Sequence, residues 1–232
     1  MTLADLYPEP DSLIKNECDT LRYLMNEPIL NGYHPQFAQA ARNLFYQTRK
    51  RLTHFEFESF FNVCHQSKDD LIVVVCGKVE PSGRKKYKHI TYCMTVCRQQ
   101  PNASGILRKL HFDVTSGEPL RRMQGHPICH LQYCGSFLPF LSTLGYAKQQ
   151  MEPMHPWLSE PRIPYWPMSL ALIVDLAFRE FPSEAGSKFR EKSEWQSIIR
   201  KNEALLLANF YSHCLAVIGA RGRTLAESFY GD

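Results

Sequence analysis

Apolar residues near the start of the chain recur at three- and four-residue intervals, the period of a helix that buries one face. Leu13, Ile14, Cys18, Leu21 and Met25 form such a stripe over residues 11 to 26, and the Asn31-Gly32 pair ends that unit. From Pro35, whose ring presets φ for a first helical turn, Phe37, Ala41, Leu44, Phe45 and Leu52 repeat the period and predict a second helix. Thr53 and Glu56 fit a capping box, which predicts a short third helix carrying Phe57, Phe60 and Phe61 and stopping near His65.

From Leu71 the pattern becomes that of strands. Residues 71 to 79 are a nearly continuous apolar run, as expected of a strand buried on both faces. Residues 89 to 98 alternate, with Ile90, Tyr92, Met94 and Val96 on one face, and the Glu80-Pro81-Ser82-Gly83 turn makes the two a hairpin. A third strand is predicted over residues 106 to 113, with Ile106, Leu110 and Phe112 facing one way, and a fourth over residues 128 to 134. Consecutive antiparallel strands need only turns between them, so the four form a meander.

The stretch from Met151 to Pro167 is rich in Pro and aromatic residues and predicts an irregular strap. Met168, Leu172, Ile173 and Leu176 then mark a helix that Pro182 ends. Trp195, Ile198, Ile199, Leu205, Leu206, Phe210 and Val217 mark a long final helix closed by Gly219 and Gly222. The expected fold is α+β, an antiparallel meander of about four strands flanked by N-terminal and C-terminal helices. No internal repeat or interdomain linker stands out, so residues 1 to 232 read as a single domain: helices over 1–65, sheet over 70–135, strap over 136–167 and helices over 168–232.

With 44% hydrophobic and 22% charged residues, the chain has the composition of a folded globular protein. No apolar stretch reaches the roughly 20 residues a bilayer requires; the nearest, Met168 to Phe178, is interrupted by Asp175. The N-terminus lacks the charged, apolar and small-residue succession of a secretory signal, so the eight cysteines read as reduced thiols and the expected location is cytoplasmic. Cys76, Cys93 and Cys214 lie in apolar stretches, where a free thiol behaves as a small hydrophobe. With no CxxC pair, a closed zinc knuckle is not expected, and the sequence assigns no metal ligand and no cofactor.

The net charge of +4 is modest, so local clusters matter more. Arg84, Lys85, Lys86 and Lys88 form a basic turn able to hold a phosphate backbone, with Tyr87 placed to stack on a base. Arg121 and Arg122 make a second cluster, and Arg49, Lys50 and Arg51 another. The blander reading of the basic turn is a solvated hairpin tip.

Side chains two apart on a strand share a face, so Lys109, His111 and Asp113 project together, opposite the apolar row. On the fourth strand His130 shares a face with Gln132, and with His126 if the strand begins that early. If the two strands pair, three imidazoles and a carboxylate meet. Two histidines then suit general base and general acid, with Asp113 fixing a tautomer and Lys109, Arg122 or Arg162 stabilising an anionic transition state, the inventory of a metal-independent ribonuclease. The same residue types suit a metal with an open coordination position. The plainest alternative is that these histidines are hydrogen-bonded residues packed under the C-terminal helices.

The order Leu110-His111-Phe112-Asp113, then His126-Pro127 with His130-Leu131-Gln132, then Arg162-Ile163-Pro164 before an apolar helix, resembles a pattern in uncharacterised bacterial proteins of toxin and defence gene neighbourhoods. Its HxD and HPxxH elements are loosely similar to those of TumE-type toxins. The resemblance covers about residues 106 to 181. It implies a bacterial cytoplasmic protein that acts on RNA or regulates another component, and the added terminal helices distinguish this chain from a small toxin. Three functions follow as expectations: an RNA nuclease, a non-enzymatic subunit that binds a protein encoded nearby, and a metal-dependent hydrolase.

Overall fold

The computed structural model describes residues 7–27, 55–64, 70–82, 87–98, 106–114, 129–133 and 163–219. Helix α1 spans Pro10–Met25 and starts with proline in its first turn, where the ring costs no hydrogen bond. Six strands follow: β1 (Phe55–Cys64), β2 (Asp70–Pro81), β3 (Tyr87–Arg98), β4 (Ile106–Val114), β5 (Cys129–Tyr133) and β6 (Ile163–Pro164). Helices α2 (Leu170–Glu180), α3 (Glu184–Arg190), α4 (Ser193–Asn202) and α5 (Ala208–Gly219) complete the described chain, with one π-helical turn, Glu203–Leu207, between the last two.

The strands form one sheet in the order β1-β2-β3-β4-β5-β6, and every neighbouring pair is antiparallel. The fold is α+β, as the periodicity predicts: the four predicted strands are β2 to β5, and β1 and β6 extend the meander to six strands among the described residues. The predicted third helix is strand β1. Phe57, Phe60 and Phe61 have helical spacing, yet residues 55 to 58 alternate as Phe-Glu-Phe-Glu, and the segment pairs along the whole length of β2, from Phe55 opposite Val79 to Cys64 opposite Asp70. The predicted second helix, from Pro35 to Leu52, lies outside the described residues.

Register divides the sheet into two faces. Val73, Val75, Val79, Ile90, Tyr92, Met94, Val96, Leu110, Phe112, Val114 and Cys129 belong to one core with the helices. Leu13, Ile14 and Leu21 of α1 and Leu170, Ile173 and Ala177 of α2 belong to the same core, and Trp195 of α4 is fully buried in it. Val74 and Cys93 are also buried but stand on the opposite face, outside that core. The expectation that β2 is buried on both sides therefore holds.

Side-chain caps set the helix starts. Ser169 accepts from the Leu172 amide at 3.3 Å and Ser183 from the Gly186 amide at 3.0 Å, each satisfying a donor that the first turn leaves open. A Cβ on Gly186 would come within 2.7 Å of the buried Phe178 ring. Gly186→Ala is accordingly expected to cost about 1–3 kcal/mol through overpacking, read as a lower urea midpoint; an unchanged midpoint would mean that α3 shifts freely over Phe178.

Candidate functional site

The face opposite the core carries the polar residues in cross-strand rows. One row runs Lys78 on β2, Thr91 on β3, Asp113 on β4 and His130 on β5, each directly opposite the next. The adjacent row runs Cys76, Cys93, His111 and Gln132. A third holds Glu80 opposite His89. The β4 and β5 strands thus bring Asp113 and His130 face to face, with His111 one step along, because side chains two apart share a face and antiparallel partners lie opposite each other.

Within this cluster the Thr91 hydroxyl donates to Asp113 Oδ1, which orients the carboxylate. Nε2 of His111 lies 3.6 Å from Cys93 Sγ, and Thr95 Oγ1 lies 3.6 Å from the same sulfur. His111, Asp113 and His89 are half-buried, whereas His130 is buried, at 4% exposed. Burial pushes the His89 pKa below the ordinary histidine value, against the opposing pull of nearby Asp113, so His89 is neutral at neutral pH.

His89, Thr91 and Cys93 join the site without having been singled out in the sequence. Their signal was present: Ile90, Tyr92, Met94 and Val96 fill the core face of β3, so the alternate positions must face the other way. Cys93, read as a small buried hydrophobe, has instead a thiol bonded by polar partners. Hydrogen bonds from Cys76 and His111 hold its pKa well below the ordinary thiol value, despite the opposing effect of burial. Cys129, on the core face, has only burial acting on it, and its pKa is pushed up.

The other candidate residues divide sharply. His126, Arg162, Arg84, Lys85, Lys86, Arg121 and Arg122 lie outside the described residues. Lys109 is placed on β4 opposite Thr95, one row beyond His111. Tyr87 is not available to stack on a base: it is 6% exposed, its hydroxyl donates to the Pro8 carbonyl, and its ring meets Tyr7 edge-on at 5.9 Å between centroids. Lys88 is exposed but bonds Glu80 at 2.6 Å, and Lys78 reaches the same carboxylate at 3.1 Å. Those two ammonium groups hold the Glu80 pKa down at about 2.

Among the described residues, fold and site define an antiparallel α+β protein with helices on one sheet face and a His/Asp/Cys cluster on the other. No protein-family model, curated protein or solved structure matches the chain. No described helix is long and apolar enough to cross a membrane. Among the described residues no three His, Cys, Asp or Glu side chains form a group that would hold a metal ion.

Proposed function

We propose that the chain is an acid–base enzyme that cleaves RNA, acting in a toxin or defence setting. The observation that carries this reading is the β4–β5 register, which sets Asp113 opposite His130 with His111 alongside on the same face. Cleavage next to a 2′-hydroxyl needs a base to remove its proton, an acid to protonate the departing 5′-oxygen, and positive charge beside the phosphorane. His111 and His130 are the acid–base pair and Asp113 orients an imidazole. Neutral His89 is an additional base, and Lys109, one row from His111 on the same strand, supplies the positive charge.

His130→Ala is expected to lower cleavage of a mixed-sequence RNA by about a hundredfold or more while circular dichroism stays unchanged. Wild-type turnover by a folded His130→Ala protein would remove the assignment. Running the same assay with a chelator separates this mechanism from metal-assisted hydrolysis, since an acid–base pair keeps its rate when divalent ions are stripped.

A second reading, a non-enzymatic subunit that binds another chain, draws on α5. Phe210, Cys214 and Val217 are its buried stripe, yet Tyr211, Leu215 and Ile218 are 51%, 69% and 65% exposed at helical spacing on its outer side. Exposed apolar stripes of this kind mark interaction sites. A protein that is monomeric at working concentration and turns over RNA alone excludes this second reading.

A further inference from the structure

Five of the cysteines fall where their surroundings are described, and none of the five forms a disulfide. Three are chemically quiet. Cys18, Cys129 and Cys214 are buried, and burial raises the pKa of each. Cys76 and Cys93 differ in position and in partners. They stand directly opposite each other on β2 and β3, and Cys76 is half-buried while Cys93 is 2% exposed.

Directly paired residues of antiparallel strands have Cα atoms about 4.5–5.5 Å apart, inside the roughly 4.4–6.8 Å range that a disulfide spans. The register therefore sets the pair within the Cα separation that a disulfide spans. Three polar groups converge on the inner sulfur: the Cys76 thiol, His111 Nε2 at 3.6 Å and the Thr95 hydroxyl at 3.6 Å. Such a set stabilises a thiolate, the reactive form of cysteine.

We propose that Cys76 and Cys93 are a peroxide-responsive dithiol that closes to a cross-strand disulfide, with His111 as its proton carrier. The oxidant is a hydroperoxide, small enough to meet the half-buried Cys76. With the Cys93 proton resting on His111, the Cys76 proton passes along the shared hydrogen bond to the Cys93 sulfur, and the Cys76 thiolate attacks one peroxide oxygen. The O–O bond breaks, a sulfenic acid forms on Cys76, and the departing hydroxide takes the proton held on His111 and leaves as water. Cys93 then gives its proton to His111 and attacks the Cys76 sulfur. The S–O bond breaks, and the second hydroxide leaves as water with that proton. Two thiols and one hydrogen peroxide become one disulfide and two waters, with the peroxide reduced and the sulfurs oxidised.

This dithiol does not depend on RNA cleavage, and its test is independent of that activity. The purified chain is treated with stoichiometric hydrogen peroxide, alkylated with iodoacetamide, digested with trypsin and analysed by mass spectrometry. Expected is a link between the peptide carrying Cys76 and the peptide spanning His89 to Arg98, with fragment ions placing it on Cys93, not Cys97. Dithiothreitol reverses it, Cys97→Ser retains it, and Cys76→Ser, a change at the half-buried position, lacks it. His111→Gln slows its formation roughly tenfold, because thiolate fraction and proton delivery both fall. The proposal is overturned by a link through Cys97, by over-oxidation of Cys76 with no link, or by an unchanged rate in His111→Gln. A chain that forms the disulfide but cleaves no RNA leaves the dithiol standing and removes only the nuclease.

Discussion

Glu17→Gln is expected to flatten the pH dependence of stability above about pH 5. Glu17 is fully buried between α1, β3 and the start of α2. Tyr92 Oη donates to its Oε1 at 2.9 Å and the Leu170 amide to its Oε2 at 3.0 Å. Both partners are neutral. Burial raises the carboxyl pKa from 4.5 to about 7, and the two hydrogen bonds pull it down without restoring the ordinary value. The folded chain therefore holds this proton more tightly than the unfolded chain does. The sign follows directly: the stabilisation is complete below about pH 4.5 and is lost as pH rises through about 7.

The difference amounts to on the order of 3 kcal/mol, a large part of the stability of a typical domain. Glutamine keeps the shape and carries no charge, with its carbonyl accepting from Leu170 and the Tyr92 hydroxyl turning to accept from its amide. Urea midpoints of both proteins at about pH 5, 6, 7 and 8 measure the effect. Wild type should fall relative to the variant across that range, and parallel curves would show that Glu17 is not the group responsible.

The second large effect concerns Asp175, where α2, α3 and α4 meet. Arg179 Nε donates to its Oδ2 at 2.6 Å, while Arg190 Nε at 3.0 Å and Trp195 Nε1 at 3.1 Å donate to Oδ1. Burial opposes ionisation of this carboxyl, but the three donors outweigh it and hold its pKa below the ordinary aspartate value. Asp175→Ala removes the acceptor and leaves the indole N–H of the fully buried Trp195 unpaired, at an expected cost of about 2–4 kcal/mol. The arginines are partly exposed and recover water, which keeps the figure from being larger. Trp195→Phe deletes the unpaired donor itself. In the Asp175→Ala background it should therefore cost less than in wild type, and strictly additive losses in that double-mutant cycle would contradict the hydrogen bond's importance.

Asp175 shows how far a linear reading reaches. In the sequence it interrupts an apolar run and so argues against a membrane span. Arg179, four residues on, is a partner that helical spacing offers, but nothing local announces that Arg190 and a tryptophan 20 residues later will close around it. Glu17 is similar. It falls within the stripe of Leu13, Ile14, Cys18 and Leu21, which is legible as a carboxylate on a buried face, but its donors come from β3 and α2. Phe57, Phe60 and Phe61 mark the opposite failure. Their spacing suits a helix, and only the open edge of β2 makes them part of a strand.

Side-chain pattern determined most of the elements: the apolar run of β2, the strands β3, β4 and β5, and the three- and four-residue stripes of α1, α2 and α4 to α5 are all legible, whereas β1 and α3 are not. It also determined that His111 and Asp113 share a face, because that depends on two residues of one strand. Tertiary structure alone decided that His130 lies opposite Asp113, that Cys76 lies opposite Cys93, and that His111 reaches the inner thiol. Those relations join residues far apart in the chain, and they depend on hydrogen-bond register between strands, which no local periodicity encodes.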